Sequence, residues 1–227
     1  MDLELKNRVA LVVGGKGYIG AAVADRLRAE GATVVVASRS ADAADGVAMD
    51  TADQASVDAG VARVLEQHGR IDVLVVTAAP SAGTLDPARK SDPEQVLSAI
   101  DGKALGFLRV ANAVLPAQRE AGHGRVVVVS GQNAYLSGNI TASLRNTAVS
   151  VIAKNLADEV AGSGVTVNVV NPGTVTDSPA AEVQRGAGGE SSPQQIADLV
   201  AFLASPLSAV SGESISIAHR VLGQLTI

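Results

Sequence analysis

Six short apolar runs punctuate the chain: "RVALVVGG", "TVVVASR", "IDVLVVTAA", "GRVVVVSG", "VTVNVVNPG" and "ESISIAH". Each is dominated by Val and Ile without polar alternation, the pattern of strands buried on both faces. Between them lie segments such as "GAAVADRLRAEG" and "DAGVARVLEQHG", with apolar residues at three-to-four spacing and a closing glycine, which is the helical period with a C-terminal stop. Strand alternating with helix implies right-handed crossovers and an open sheet covered on both sides. The expected fold is therefore α/β: a single doubly wound, Rossmann-type domain over residues 1–227, with a mostly parallel sheet flanked by helices. The Gly-, Ser- and Pro-rich stretch "DSPAAEVQRGAGGESSP", about 177–193, reads as a mobile loop.

Composition narrows the chemistry. With 227 residues, 47% of them hydrophobic, the chain has enough apolar surface for one substantial core. Its net charge of −5 is scattered, and no basic stripe interleaves with aromatics, so no nucleic-acid partner is expected. The N-terminal "MDLELKNRVALVVGG" carries early acidic residues and only a short apolar run, unlike a signal peptide or a spanning helix, so the expectation is a cytoplasmic protein without a membrane partner. The absence of cysteine removes thiolate chemistry, and three separated histidines suggest no metal cluster. His68 and His123, each beside a glycine, read as solvated caps.

The first strand runs directly into "GGKGYIG" and a helix. Gly15, Gly17 and Gly20 fit G-x-G-x-x-G, and in this context the loop admits a pyrophosphate to backbone N–H groups at the helix start near Ile19. The cofactor-binding segment is thus Gly14, Gly15, Lys16, Gly17, Tyr18, Ile19 and Gly20. After the second strand, Ser38 and Arg39 stand where a carboxylate would accept the ribose hydroxyls of NAD; a hydroxyl and a guanidinium suit the 2′-phosphate of NADP. NADP is the expected cofactor, ahead of NAD.

With the glycine loop, "MDTAD", "GRIDVLVVTAAP", "GRVVVVSG", "KNLADEVA", "VTVNVVNPGTVT" and "FLASPLSAVSGESISI" in this order, the chain resembles the short-chain dehydrogenase/reductase family along nearly its whole length. The resemblance implies that Asp50 and Thr51 lie by the adenine, that Ala78 and Ala79 border the adenosine ribose, and that Pro172, Gly173, Thr174 and Val175 cradle the nicotinamide. It also implies a homo-oligomer, dimer or tetramer, built on helix surfaces around 103–120 and 142–161.

Several signature positions depart from the family pattern. Matching Gly14 and Gly20 to T-G-x-x-x-G-x-G puts Val13 at the threonine and Tyr18 at the middle glycine. The N-N-A-G motif becomes Val76, Thr77, Ala78 and Ala79, and V-D-G-G becomes Ile217, Ala218, His219 and Arg220. In relatives, a Tyr-x-x-x-Lys pair on one helix face exchanges the proton and holds the ribose, aided by a serine and an asparagine. Counting from "KNLADEVA" in the helix expected over 139–161, the tyrosine falls on Ala142 and the lysine on Asn146; counting from Gly106 and Pro116, the asparagine falls on Lys103. Ser130 stands near the serine position, although counting from Gly124 points to Gly131.

Ser130, Lys103 and Asn146 are therefore the candidate catalytic residues. Lys103 qualifies because a desolvated lysine titrates near neutrality, and Asn146 as a hydrogen-bonding replacement for the lysine. Tyr135 is the one tyrosine near this loop, and a packing role is expected for it. Asp177 stands where a carboxylate must turn away from a pyrophosphate or accept a proton. Three functions fit: a divergent NADP-dependent oxidoreductase acting on a small carbonyl or alkene; a catalytically silent nucleotide-binding or scaffold subunit; or a non-redox isomerase or cyclase.

Overall fold

The computed structural model describes residues 2–41, 46–80 and 82–223. All six apolar runs form strands: β1 (Val9–Val13), β2 (Thr33–Ser38), β4 (Val73–Val76), β5 (Gly124–Val129), β6 (Val165–Asn171) and β7 (Ser214–Ser216). A two-residue strand, β3 (Val47–Ala48), lacks an apolar run of its own and exists only by pairing with the end of β2. The sheet has the order β3-β2-β1-β4-β5-β6-β7, and every pairing is parallel. Every residue of β1, β4 and β5 is buried, which is why those runs do not alternate.

Among the described residues six α-helices cover the two faces: α1 (Tyr18–Ala29), α2 (Gln54–His68), α3 (Pro93–Ile100), α4 (Gly106–Glu120), α5 (Ile140–Glu159) and α6 (Pro193–Ala204). Gly69, with φ +73°, ends α2 in the left-handed conformation that its closing glycine predicts. One core joins the sheet to α2, α4 and α5 through residues such as Val64, Phe107, Val114 and Leu156. The other joins it to α1 and α6 through Val23, Leu27, Ile196 and Leu203. Between α3 and α4 the helix continues as a π-helical turn, Asp101–Leu105. Such widened turns recur at functional sites, and this one carries Lys103.

The helix expected over 139–161 is α5, whose buried side is polar in its first half (Thr141, Arg145, Asn146) and apolar from Val149 on. It also exposes Ile140, Leu144 and Val151. His123 is half-buried with its Nε2 unpartnered, rather than solvated; burial and nearby Arg125 and Arg8 lower its pKa. The stretch 177–193 is braced internally by Ala180 N–H to the Glu190 carboxylate (2.9 Å) and tied to the C-terminal segment by Gly186 N–H to Leu222 O (2.9 Å) and Gly189 N–H to His219 O (2.8 Å). No helix among the described residues is long and apolar enough to cross a membrane.

Candidate cofactor cleft and active site

The chain returns from β3 at the sheet edge to place β4 beside β1, so the loops after β1 and β4 diverge and leave a crevice at the carboxyl end of the strands. The two loops are anchored close together: Thr77 and Ala78 both donate N–H bonds to Val13 O, at 2.8 and 3.1 Å. At Gly20 a Cβ would lie 2.1 Å from Gly14 O, and at Gly14, which has φ +87°, it would meet Ala78 N at 2.6 Å. Only glycine permits this approach of helix, loop and strand. Gly17 is the N-cap of α1 and supplies no side-chain cap, and the first turn holds no acidic residue. The helix start thus lacks both a side-chain cap and a first-turn carboxylate, the arrangement that suits an anion. Gly15 packs against Val36 and does not line the cleft.

One half of the cleft, about 920 Å³, is lined by Lys16, Gly17, Ser38, Arg39, Asp50, Thr51, Ala78 and Ala79 among others. Lys16 Nζ reaches Ser40 O at 3.1 Å, while Arg39 is exposed at the rim. The Asp50 carboxylate accepts from Ala52 N–H at 3.0 Å. An open glycine cradle and a bare helix N-terminus fit a dinucleotide.

The other half, about 690 Å³, is lined by Tyr18, Ile19, Lys103, Ser130, Ala142, Arg145, Asn146 and the segment Pro172–Val175, among others. The three candidate catalytic side chains meet here although they come from the π-turn, the end of β5 and α5. Lys103 Nζ donates to Asn146 Oδ1 at 2.7 Å and to Ser130 O at 2.9 Å. Ser130 Oγ lies 3.2 Å from Asn146 Oδ1 and 3.1 Å from Asn146 O. Asn146 Nδ2 is held by Ala142 O at 2.7 Å, which orients the amide with its oxygen toward the lysine. Burial of the ammonium, reinforced by the charge of Arg145, lowers Lys103 from its ordinary pKa of 10.5 to about 7.

Arg145 and Gln132 are site residues that the sequence reading missed. Arg145 is only 5% exposed; its Nη2 donates to Pro80 O at 3.0 Å, while Nε and Nη1 find no acceptor among the described residues. The available signal was its place three residues after Ala142, on the same helix face. Gln132 Nε2 donates to His219 O at 2.8 Å, and its Oε1 finds no partner among the described residues. Gly131 also lines this cavity, but it brings no side chain.

Tyr135 turns away from the cavity: its hydroxyl lies 3.1 Å from Ser214 Oγ and accepts from Asn171 Nδ2 at 3.1 Å, and Arg220 stacks 4.9 Å from its ring centroid. Asp177 accepts a hydrogen bond from the Tyr18 hydroxyl, which directs the carboxylate to a donor at the cleft mouth and raises the phenol's pKa. Among the described residues, no group of three or more His, Cys, Asp or Glu could hold a metal ion.

Comparison with known proteins gives concordant results. The family model described as short chain dehydrogenase matches residues 8–187. The 3-oxoacyl-[acyl-carrier-protein] reductase FabG of Escherichia coli (strain K12) is 29% identical, covering 95% of this chain and 97% of its own. The (2S)-[(R)-hydroxy(phenyl)methyl]succinyl-CoA dehydrogenase subunit BbsC of Thauera aromatica is 34% identical, covering 95% and 94%. The fold is shared with a gluconate 5-dehydrogenase from Burkholderia cenocepacia J2315 crystallised with NADP and tartrate, with TM-score 0.82, 21% identity and 95% coverage of both chains.

Proposed function

This chain belongs to the short-chain dehydrogenase family, and on that premise we propose that it binds NADP(H) along the cleft and reduces a small carbonyl compound, with Lys103 as the proton donor. The observation that carries this reading is the contact of Lys103 with Asn146 and Ser130 in the cavity bordered by Pro172–Val175. Relative to the family pattern, lysine and asparagine have exchanged positions across one contact, so a cationic nitrogen is still present although its side chain enters from the π-turn.

Two acceptors hold Lys103 Nζ, which leaves its third N–H available to the cavity it lines. A pKa of about 7 suits a group that must give and regain a proton near neutrality. Ala142 leaves the space of a phenol open, and a substrate oxygen brought there is exposed to Lys103. When bound, NADPH supplies the hydride for the carbonyl carbon. Lys103 then releases its proton to the carbonyl oxygen and is reprotonated from solvent, while Ser130 Oγ offers a hydroxyl beside the same atom. Preference for NADP over NAD rests on Lys16, Ser38 and Arg39 around the cavity below β2, where the strand ends in Ser38, followed directly by Arg39 and not by a carboxylate.

A second reading, a silent nucleotide-binding subunit in a larger assembly, is favoured by one feature. Leu97, Leu105, Ile140, Leu144 and Val151 are exposed on α3, the π-turn and α5, apolar surface of the kind that subunit contacts cover. Self-association through this surface, as a dimer or tetramer, fits the family as well. Calorimetric titration with NADPH and NADH, followed by NADPH oxidation across a panel of aldehydes and ketones, tests the proposal. Binding with turnover supports the reductase; binding without turnover in wild type supports the silent subunit; no binding at millimolar nucleotide removes both.

A further inference from the structure

The catalytic half of the cleft contains two cationic side chains, Lys103 and Arg145, and among the described residues no aspartate or glutamate lines it. Buried charges elsewhere in the fold are saturated. Arg125, 7% exposed, donates to the carbonyls of Gly124, Gly164, Ser205 and Pro206 at 2.9–3.2 Å. Asp72, 3% exposed, accepts from Val9 N–H and pairs with Arg8 and Arg70. Arg145 is buried as deeply as Arg125 but has the single acceptor Pro80 O, with Nε and Nη1 unpartnered among the described residues. A guanidinium desolvated to this degree without a counter-charge is costly to the fold unless something else supplies the charge. Its planar N–H fork matches a carboxylate.

We infer that the substrate is an oxo acid, a carbonyl compound bearing a carboxylate, with the carboxylate held by Arg145 and the carbonyl oxygen presented to Lys103. The division of labour follows from placement. Arg145 lies one turn from Ala142 on α5, beside the space that the alanine leaves open, and both residues line the cavity together with Lys103. The carbonyl half of this assignment rests on the reductase reading; the carboxylate half stands on the burial and unpartnered N–H groups of Arg145 alone.

The test is calorimetric titration of the full chain with malonate and with malonamide, which has the same skeleton without charge, in the presence and absence of saturating NADP⁺. Expected is malonate binding to the NADP⁺-saturated protein, roughly 10-fold or more tighter than malonamide, as hydrogen bonds to charged groups provide. Arg145→Leu should weaken malonate by a similar factor while leaving NADP⁺ affinity within about 3-fold, and Arg145→Lys should recover part of the loss. Equal binding of malonate and malonamide, or no malonate binding, overturns the inference. Competition between malonate and NADP⁺ overturns it too, because the anion would then be a cofactor phosphate. If NADP⁺ itself fails to bind, the nucleotide reading falls, and malonate against malonamide on the free protein still decides the carboxylate site. The wild-type comparison needs no variant, so a poorly folding Arg145→Leu leaves the inference falsifiable.

Discussion

Lys103 Nζ and Asn146 Oδ1 meet at 2.7 Å although they stand 43 residues apart, one on a π-helical turn and the other on the second turn of α5. The contact places an amine in the cavity between the π-turn and α5.

If Lys103 is the acid, turnover must follow its protonation. The charged or polar groups facing it are Arg145 and Asn146 from α5 and Ser130 from the end of β5, with no carboxylate. Reduction measured as kcat/KM against pH should be level below about 7 and fall about tenfold per unit above it. Alcohol oxidation should show the opposite limb. Lys103→Met should lower reduction by about 10²- to 10⁴-fold and remove this limb.

The same titration governs stability. Folding lowers Lys103 from 10.5 to about 7, so between those values the unfolded chain holds the proton more tightly than the folded one. Stability then rises with pH through this window, by up to about 1.4 kcal/mol per unit, and the burial cost is full below it. Lys103→Met removes the charge. Its thermal stability should exceed wild type most clearly at pH 6, and the difference should shrink as pH rises toward 9.5.

The exchange of positions predicts strong non-additivity. Asn146→Lys alone places a further cation beside Lys103 and Arg145 in a buried site and should destabilise by about 3 kcal/mol in urea unfolding. Lys103→Asn with Asn146→Lys restores one amine and one amide across the contact, so the pair should recover about 2 kcal/mol of that loss. Adding Ala142→Tyr to the exchanged pair should raise reductase activity above the pair by about 10²-fold or more, read as NADPH oxidation.

Glycines in the loop should differ sharply in tolerance. Gly20→Ala drives a methyl onto Gly14 O at 2.1 Å and should lower NADPH affinity by about 100-fold, with about 2 kcal/mol lost in stability. At Gly17 the nearest atom to an added Cβ is Gly14 O at 3.2 Å, so Gly17→Ala should stay within about 10-fold in the same titration.

At the other end, Arg39→Ala should weaken NADPH by roughly 10-fold and leave NADH unchanged if the exposed guanidinium pairs with the phosphate that NADH lacks. Ser38→Asp should reverse the preference by repelling that phosphate and accepting the ribose hydroxyls. Calorimetry with both nucleotides reads both effects.

The order of strands and helices was legible because burial on both faces leaves no room for alternation: runs such as "VALVV" and "GRVVVV" are strands of a covered sheet and little else. The glycine loop was legible for a related reason, since the backbone approach at Gly14 and Gly20 excludes every side chain and so must appear as glycine. Counting along the chain could also single out Ala142 and Asn146 as one i, i+4 pair on a helix face, because that spacing is local.

What lies opposite those positions was decided by tertiary structure. That Lys103 is desolvated and bonded to Asn146 depends on a π-turn that reorients it and on the packing of that turn against α5, neither of which has a local sequence period. The pairing of β3 with β2, the withdrawal of Tyr135 to Ser214 and Asn171, and the turning of Asp177 to Tyr18 likewise arise between residues distant along the chain. Arg145 shows the division most clearly. Its sequence context is that of an ordinary helix arginine, and only the assembled cavity, which buries it without a carboxylate, gives it a charge left to satisfy.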